Sequence, residues 1–255
     1  MENINEKVTE KETIHQPFSY TAQHLLELII NDIAAIVGMV LIVIGSIYFG
    51  IQIKILHEDL MTDTNIGILI TILILVSISF IIGIIASLKG KRNLAIVNEH
   101  FAMLWKYQKR TIIVGAASSI TSTIAGDSVV SDVVETANDV YQTYAAFKML
   151  YALIRGVSTE VNRAIKVTDE YIITRKNKVF VTLLKISYIA SFAFTIILVI
   201  AAIAVITTST NDESIWSGVG NGIIIFGIAI GLIIPHNIIE MLYFRFARNV
   251  LNNAD

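Results

Sequence analysis

The sequence predicts an all-α membrane protein with four transmembrane helices and a long cytoplasmic antiparallel helical hairpin between the second and the third. The chain is 55% hydrophobic and only 16% charged, a composition typical of an integral membrane protein. Four apolar stretches are each long enough to cross about 30 Å of hydrocarbon. Residues 89–178 combine charge with helical periodicity, so this region is predicted to be helical but outside the bilayer.

In chain order, the predicted regions are a mobile cytoplasmic tail (1–17), an interfacial amphipathic segment (18–32), a first transmembrane hairpin (33–88), the cytoplasmic hairpin (89–178), a second transmembrane hairpin (179–242) and a cytoplasmic tail (243–255). The first region is polar and lacks the apolar core of a signal peptide. In the second, Leu25, Leu28 and Ile29 share one helical face, as in helices that lie at a membrane surface. The four spans are predicted at residues 33–53, 66–88, 179–206 and 218–242.

The distribution of basic residues predicts the orientation of these spans. Lys89, Lys91 and Arg92 begin the central region, and Arg175 and Lys176 stand near its end. The loops between the paired spans are acidic instead. Because basic residues are enriched on the cytoplasmic side of membrane proteins, both termini and residues 89–178 are predicted to be cytoplasmic.

The first arm of the cytoplasmic hairpin is predicted to continue the second span directly, since residues 94–108 keep a helical rhythm of apolar positions. Residues 111–126 carry no charge and are rich in small residues. This stretch is short for a span, so it is interpreted as a packed continuation of the helix, with a re-entrant segment as the alternative. Gly126 suits a helix C-cap, and the chain is expected to turn there.

The second arm is predicted to be one long helix over residues 128–206 that passes from water into lipid. Its apolar residues step by three and four along a heptad seam, as in coiled coils. Part of this seam is expected to pack on residues 94–108, and the rest to dock a partner. The predicted docking residues are Val140, Tyr144, Phe147, Tyr151 and Ile154.

Small residues recur along the spans at helical spacing, which allows membrane helices to approach closely. They predict either packing within the bundle or an oligomer interface, with the glycine-rich fourth span favouring the second reading. The residues concerned are Gly67, Thr71, Ser79, Gly83, Ser187, Ser191, Gly218, Gly222, Gly227 and Gly231.

A polar cluster stands near the inner end of the fourth span. Pro235 lacks a backbone donor, so it is expected to kink the helix. His236 and Glu240 are four residues apart and share a face, which suits a proton site or two ligands of a metal ion. The alternative is a structural kink with a hydrogen-bonded histidine. A metal would need further ligands that the sequence does not supply, so neither a metal site nor a cofactor is predicted.

The composition also restricts the function. The net charge of −2 gives no case for nucleic acid, the chain has no cysteine, and it carries no phosphate-binding or hydrolase motif. An enzyme and a nucleotide-binding protein are therefore not expected. The leading hypothesis is a non-enzymatic subunit or scaffold of a membrane assembly, whose hairpin binds a partner protein or another copy on the cytoplasmic side. The alternative is a pore-forming subunit of a homo-oligomeric channel or translocation machine, with a pore lined by serine and threonine faces of the second or third span.

Overall fold

A computed structural model describes residues 16–56, 63–126, 129–168, 171–208 and 212–254, and the chain in these ranges is helical without a strand. The all-α prediction is therefore confirmed for the described residues. Most of the predicted N-terminal tail and the residues just after Gly126 lie outside them. The helices are α1 (Phe18–Leu56), α2 (Asp63–Leu94), α3 (Glu99–Ala125), α4 (Val129–Thr168), α5 (Tyr171–Thr207), α6 (Asp212–Gly231) and α7 (Ile234–Asn252).

Four helical stretches are long and apolar enough to cross a membrane, as predicted. They are Phe18–Ile55, Asn65–Leu94, Ile172–Thr207 and Ile215–Asn252. The first three lie in α1, α2 and α5, and the fourth combines α6 with α7. These helices support a multi-pass membrane protein, whereas the side that each end faces stays a prediction.

The spanning helices pack through small residues. The Ser79 hydroxyl on α2 donates to the Ala34 carbonyl on α1, and Gly83 lies against Ala34 one turn further along. On α6, Gly227 lies against Ser46 of α1. Small side chains at these positions allow the helix backbones to approach closely. Such close packing stabilises helix association in lipid.

The main apolar core lies at one end of this bundle, which is called the junction end because α3, α4 and α7 join it there. The core combines the start of α1, the end of α2, the first turns of α3, the second half of α4, the start of α5 and α7. Its largest fully buried side chains include Tyr243, Phe101, Phe244, Leu25, Leu28 and Leu104.

The prediction that the second span continues directly into the hairpin is wrong. α2 ends at Leu94, and α3 begins after the N-cap residue Asn98, whose side chain accepts a hydrogen bond from the Phe101 amide at 3.0 Å. The Asn98 amide also donates to Gly156 and to Glu160 of α4. A residue that caps one helix and binds another favours a turn over a straight helix.

The single long helix predicted over residues 128–206 is also wrong. α4 ends at Thr168 and α5 begins at Tyr171. The Asn177 amide of α5 donates to Ser158 at 3.1 Å, and Phe147 packs on Tyr188 with ring centroids 5.2 Å apart. Later residues of α5 thus meet earlier residues of α4, so the two helices are antiparallel. This reversal allows both helices to bury apolar faces in the same core, which a straight helix does not.

α3 and α4 pack antiparallel, because Asn98 meets Gly156 whereas Thr111 meets Gln142. The stripe of α4 that faces α3 differs from the predicted seam. It includes the fully buried Ala145 and the Gly156 backbone, which lies against the Phe101 ring. The second stripe, called the α4 seam, remains exposed and consists of Val133, Val140, Tyr144, Phe147 and Tyr151. The expectation that residues 94–108 fill part of the predicted seam is confirmed for its later positions, since Ile154, Val161 and Ile165 lie in the same core as Phe101 and Leu104.

Candidate functional site

A cavity of about 300 Å³ opens at the junction end, where the spanning helices meet α3 and α4. One wall is apolar and includes Leu104, Met149 and Phe244. The polar side chains of the lining, called the polar wall, are Asp32, Lys91, Tyr188, His236 and Glu240. Because apolar cavities with a few convergent polar groups are common ligand sites, this cavity is the first candidate functional site.

Asp32 is the most buried carboxylate of the cavity, with 2% of its surface exposed. It lies on α1, where the Asn31 amide donates to its Oδ1 atom at 3.2 Å. Its Oδ2 atom is buried without a hydrogen-bond partner among the described residues. From the sequence, Asp32 is expected to face the lipid headgroups before the first span, and its burial corrects this expectation. An acidic residue next to an apolar span is itself a signal of a functional or paired group.

Lys91 is the cation of the cavity. Its ammonium group donates to the Gln108 side chain on α3 at 2.8 Å, so it joins the end of α2 to the returning helix. It also lies within electrostatic range of Asp32 and Glu240. Sequence reasoning used Lys91 only for orientation, because nothing in the sequence shows that the chain reverses after residue 94.

The predicted cluster around Pro235 lies on the polar wall. α6 ends at Gly231 and α7 begins at Ile234, so the fourth apolar stretch is interrupted where Pro235 stands in the first turn of α7. His236 Nδ1 lies 2.9 Å from the Ser187 hydroxyl, and His236 Nε2 lies 3.6 Å from Glu240 Oε2. The structure therefore brings His236 and Glu240 together with a third predicted residue, Ser187.

The cavity thus contains two carboxylates, one ammonium group and one imidazole. Two carboxyl groups face one ammonium group, so ionisation of both would leave a net negative charge, and the site favours a proton or another positive charge. Across the described ranges of the chain, no group of three or more His, Asp or Glu side chains is placed to hold a metal ion. The arrangement is suited to proton exchange and to holding the junction of α1, α2 and α7 together.

The glycines of the fourth span face other helices of the same chain. Gly222 lies against Ile206 of α5, and Gly231 lies against Val43 of α1, as Gly227 does against Ser46. Gly218 is buried and Ser191 is half-buried. These placements support packing within the bundle for the fourth span.

Gly67 and Thr71 near the start of α2 differ from these glycines. No described atom lies within 4 Å of the position that a Cβ at Gly67 would take. The Thr71 hydroxyl donates to the Gly67 carbonyl, and Thr71 itself is exposed. This face of α2 therefore has no neighbour within the described part of the chain.

The α4 seam is the second candidate site. Its aliphatic member Val140 is 67% exposed, and its aromatic member Tyr144 is 50% exposed. The Lys148 ammonium lies 5.4 Å from the Tyr144 ring, and the Arg155 guanidinium lies 4.9 Å from the Tyr151 ring. On soluble monomeric proteins, a large exposed apolar patch marks an interaction site. The α4 seam is therefore a candidate interaction surface.

Comparison of the chain with protein-family models, with curated proteins and with solved structures finds no match. The cavity at the junction end and the α4 seam are therefore the two features of the described residues that bear on function.

Proposed function

We propose that this chain is a non-enzymatic integral membrane subunit that assembles with a second copy of itself through the α4 seam. In this proposal both termini and the α3–α4 pair are cytoplasmic. The supporting observation is that α4 has two apolar stripes: one is buried within the chain, and the other stays largely exposed, although Tyr144 and Phe147 contact rings of α3 and α5. The exposed stripe keeps heptad spacing, which is the pattern that receives a second helix.

The charge distribution along α4 favours a second copy as that helix. The exposed acidic residues Asp132, Glu135 and Asp139 lie in its first turns, whereas Lys148 and Arg155 follow later. An antiparallel copy brings the acidic half of each α4 beside the basic half of the other. Such complementarity specifies the orientation of paired helices.

The apolar residues agree with an antiparallel arrangement. When two copies of α4 cross at Gln142, Val133 of each copy is level with Tyr151 of the other, and Val140 with Tyr144. Pairs of an aliphatic and an aromatic residue fill the holes of such an interface.

The orientation is supported by the basic residues at the junction end. Lys89, Lys91 and Arg92 lie in the last turns of α2, and Lys176 and Lys178 lie in the first turns of α5. Basic residues that flank spans are retained on the cytoplasmic side. A single cysteine at Val167 should therefore react with an impermeant thiol reagent in lysed cells and not in intact cells.

The oligomeric state tests the proposed assembly. We expect dimers of the full-length chain in mild detergent, measured by light scattering across a dilution series. Val140→Asp places a charge in the seam, so the dimer dissociation constant should rise by at least about tenfold. Val167→Asp is the matched control, because Val167 lies on the same helix and is 66% exposed against 67% for Val140.

Two results would contradict the proposal. One is a wild-type chain that stays monomeric at every concentration. The other is an equal effect of Val140→Asp and Val167→Asp, because that result would remove the seam from the interface.

No observation favours the alternative of a pore lined by serine and threonine. The Ser79 hydroxyl donates to Ala34 and the Thr195 hydroxyl donates to the Ala229 carbonyl. Ser187 lies against His236. These hydroxyl groups connect helices of one chain rather than forming an unoccupied polar row.

A further inference from the structure

The direction of the α3–α4 pair relative to the spans is unusual for a protruding hairpin. Gln108 of α3 receives a hydrogen bond from Lys91 of α2, and Trp105 lines one groove with Leu88. α3 therefore returns alongside the last turns of α2. On the other arm, Phe147 packs on Tyr188, a residue within the predicted third span. Residues 109–125 and 129–146, called the distal half of the pair, thus begin at the level where the spans begin.

The α3 side of this distal half is apolar. Residues 111–126 carry no charged side chain. Four isoleucines of α3 are exposed there by between 48% and 81% of their surface, namely Ile112, Ile113, Ile120 and Ile124. The transfer of such an apolar helix face out of water is favourable, and no described segment of the chain covers it.

Three exposed hydroxyl groups of this helix form hydrogen bonds within the helix itself, whereas Thr111 Oγ1 and Ser122 Oγ are buried without a described partner. Ser119 donates to the Gly115 carbonyl, Thr121 donates to the Ala117 carbonyl, and Thr123 donates to the Ser119 carbonyl, at 2.7–3.0 Å. In water such groups have solvent partners available. Bonds from serine and threonine to the carbonyl four residues earlier are the pattern that allows these residues to enter an apolar medium.

Basic and aromatic residues stand where this apolar stretch begins. Lys106, Lys109 and Arg110 precede it directly, and the Lys109 ammonium lies 5.9 Å from the Trp105 ring. Tryptophan is enriched at membrane–water interfaces, and basic side chains near a membrane surface are attracted to anionic headgroups. The order of these residues matches the passage from headgroups towards acyl chains.

The second helix of the pair limits the depth of insertion. Asp132, Glu135 and Asp139 are exposed on α4, and carboxylates in the middle of a bilayer are strongly disfavoured. A pair with isoleucines on one helix and carboxylates on the other is suited to the interface between lipid and water.

We infer that the distal half of the α3–α4 pair lies in the interfacial region of the same bilayer that the four long helices cross. The exposed isoleucines of α3 contact acyl chains, and the acidic residues of α4 remain in water. The lipid contact follows from the returning direction of α3, and it does not require a contact between two α4 seams.

The absence of cysteine from the chain allows a direct test with single cysteines. Ile113→Cys, Ile120→Cys and Ile124→Cys each place one thiol on the α3 face. Val167→Cys is the matched control, because Ile113 and Val167 are both 66% exposed. Each full-length variant is placed in lipid nanodiscs with one chain per disc, so that both membrane faces are open to a charged maleimide.

We expect the three α3 thiols to react at least about tenfold more slowly than the Val167→Cys thiol, and at equal rates after denaturation in SDS. A fluorophore on Ile120→Cys should also be quenched by brominated acyl chains, whereas one on Val167→Cys should not. Equal reaction rates in the nanodisc, or the same quenching at both positions, would overturn the inference.

The number of chains per disc separates this inference from the proposed assembly. Protection of the α3 thiols that appears only with two chains per disc means that a second copy covers the isoleucines, and it overturns the lipid contact. Protection with one chain per disc supports the lipid contact even when the wild-type chain forms no dimer. The two proposals therefore fail on different measurements.

Discussion

The two halves of the α3–α4 pair have similar helical patterns and opposite environments. In the half next to the junction end, Phe101, Leu104, Val157 and Val161 are completely buried. In the distal half, the comparably apolar Ile120, Ile124 and Val133 are at least 61% exposed. Both halves belong to the same two continuous helices, so helix formation does not explain the difference.

The difference follows from what each half packs against. The first half contacts α1, α5 and α7, so its large side chains enter a core built from several elements. In the distal half, α3 and α4 contact each other through small or polar residues such as Gly115, Gln142 and Ala145. A pair of helices can bury only one stripe on each helix, so the remaining apolar stripes of the distal half face outwards.

The largest expected effect comes from Phe101→Ala compared with Ile113→Ala. Phe101 is fully buried against Gly156, so its truncation should lower the free energy of unfolding by about 3–5 kcal/mol. Ile113 is 66% exposed, and its truncation should change the free energy by less than about 0.5 kcal/mol in detergent. Denaturant unfolding of both variants in one detergent measures the contrast. Similar losses would mean that the distal half is packed as tightly as the first.

The cavity at the junction end gives the next effect. Lys91→Met removes the cation that faces Asp32 and Glu240 and leaves the two carboxylates without it. Because the cavity is partly open, we expect a loss of about 2 kcal/mol rather than the larger penalty of a fully buried pair. Glu240→Gln added to Lys91→Met should recover part of the loss, since it removes one of the two like charges. A double-mutant cycle by denaturant unfolding measures this coupling, and strictly additive losses would mean that the two residues do not interact.

Two glycines in the spans separate packing within the chain from a surface that has no neighbour. A methyl group at Gly227 collides with Ser46, whereas one at Gly67 meets no described atom. Gly227→Ala should therefore lower the free energy of unfolding by about 1–3 kcal/mol, as overpacking does, and with it the midpoint of thermal unfolding. Gly67→Ala should leave the midpoint unchanged or slightly raised. A larger loss for Gly67→Ala would place a close neighbour at that face of α2.

Much of the architecture follows from the sequence because long apolar runs and helical periodicity are local signals. The four apolar helices, the helical central region and the end of α3 at Gly126 are of this kind. The reversals after Leu94 and Thr168 are different, because they depend on contacts distant in the chain. The bonds from Asn98 to Glu160 and from Asn177 to Ser158 join residues that no periodic pattern connects.

The candidate sites also contain parts that the sequence predicts and parts that depend on distant contacts. The pair His236 and Glu240 is found from the sequence because residues four apart on a helix are neighbours. Asp32 and Lys91 join that pair only through the packing of α1 against α7 and of α2 against α1, and the spacing of these residues along the chain does not predict it. The α4 seam is visible as a heptad pattern, but periodicity does not show which of two stripes on one helix stays exposed.

The smallest expected effect is at Asn98, where the first half of the α3–α4 pair begins. Asn98→Ala removes the cap of α3 and both bonds to α4, and it should cost about 1–2 kcal/mol. Asn98→Ser keeps a capping oxygen and loses the amide that donates to Gly156 and Glu160. The serine variant should therefore lose about half as much stability as the alanine variant. Denaturant unfolding measures both losses. Equal losses would show that the bonds to α4, rather than the helix cap, maintain the reversal between α2 and α3.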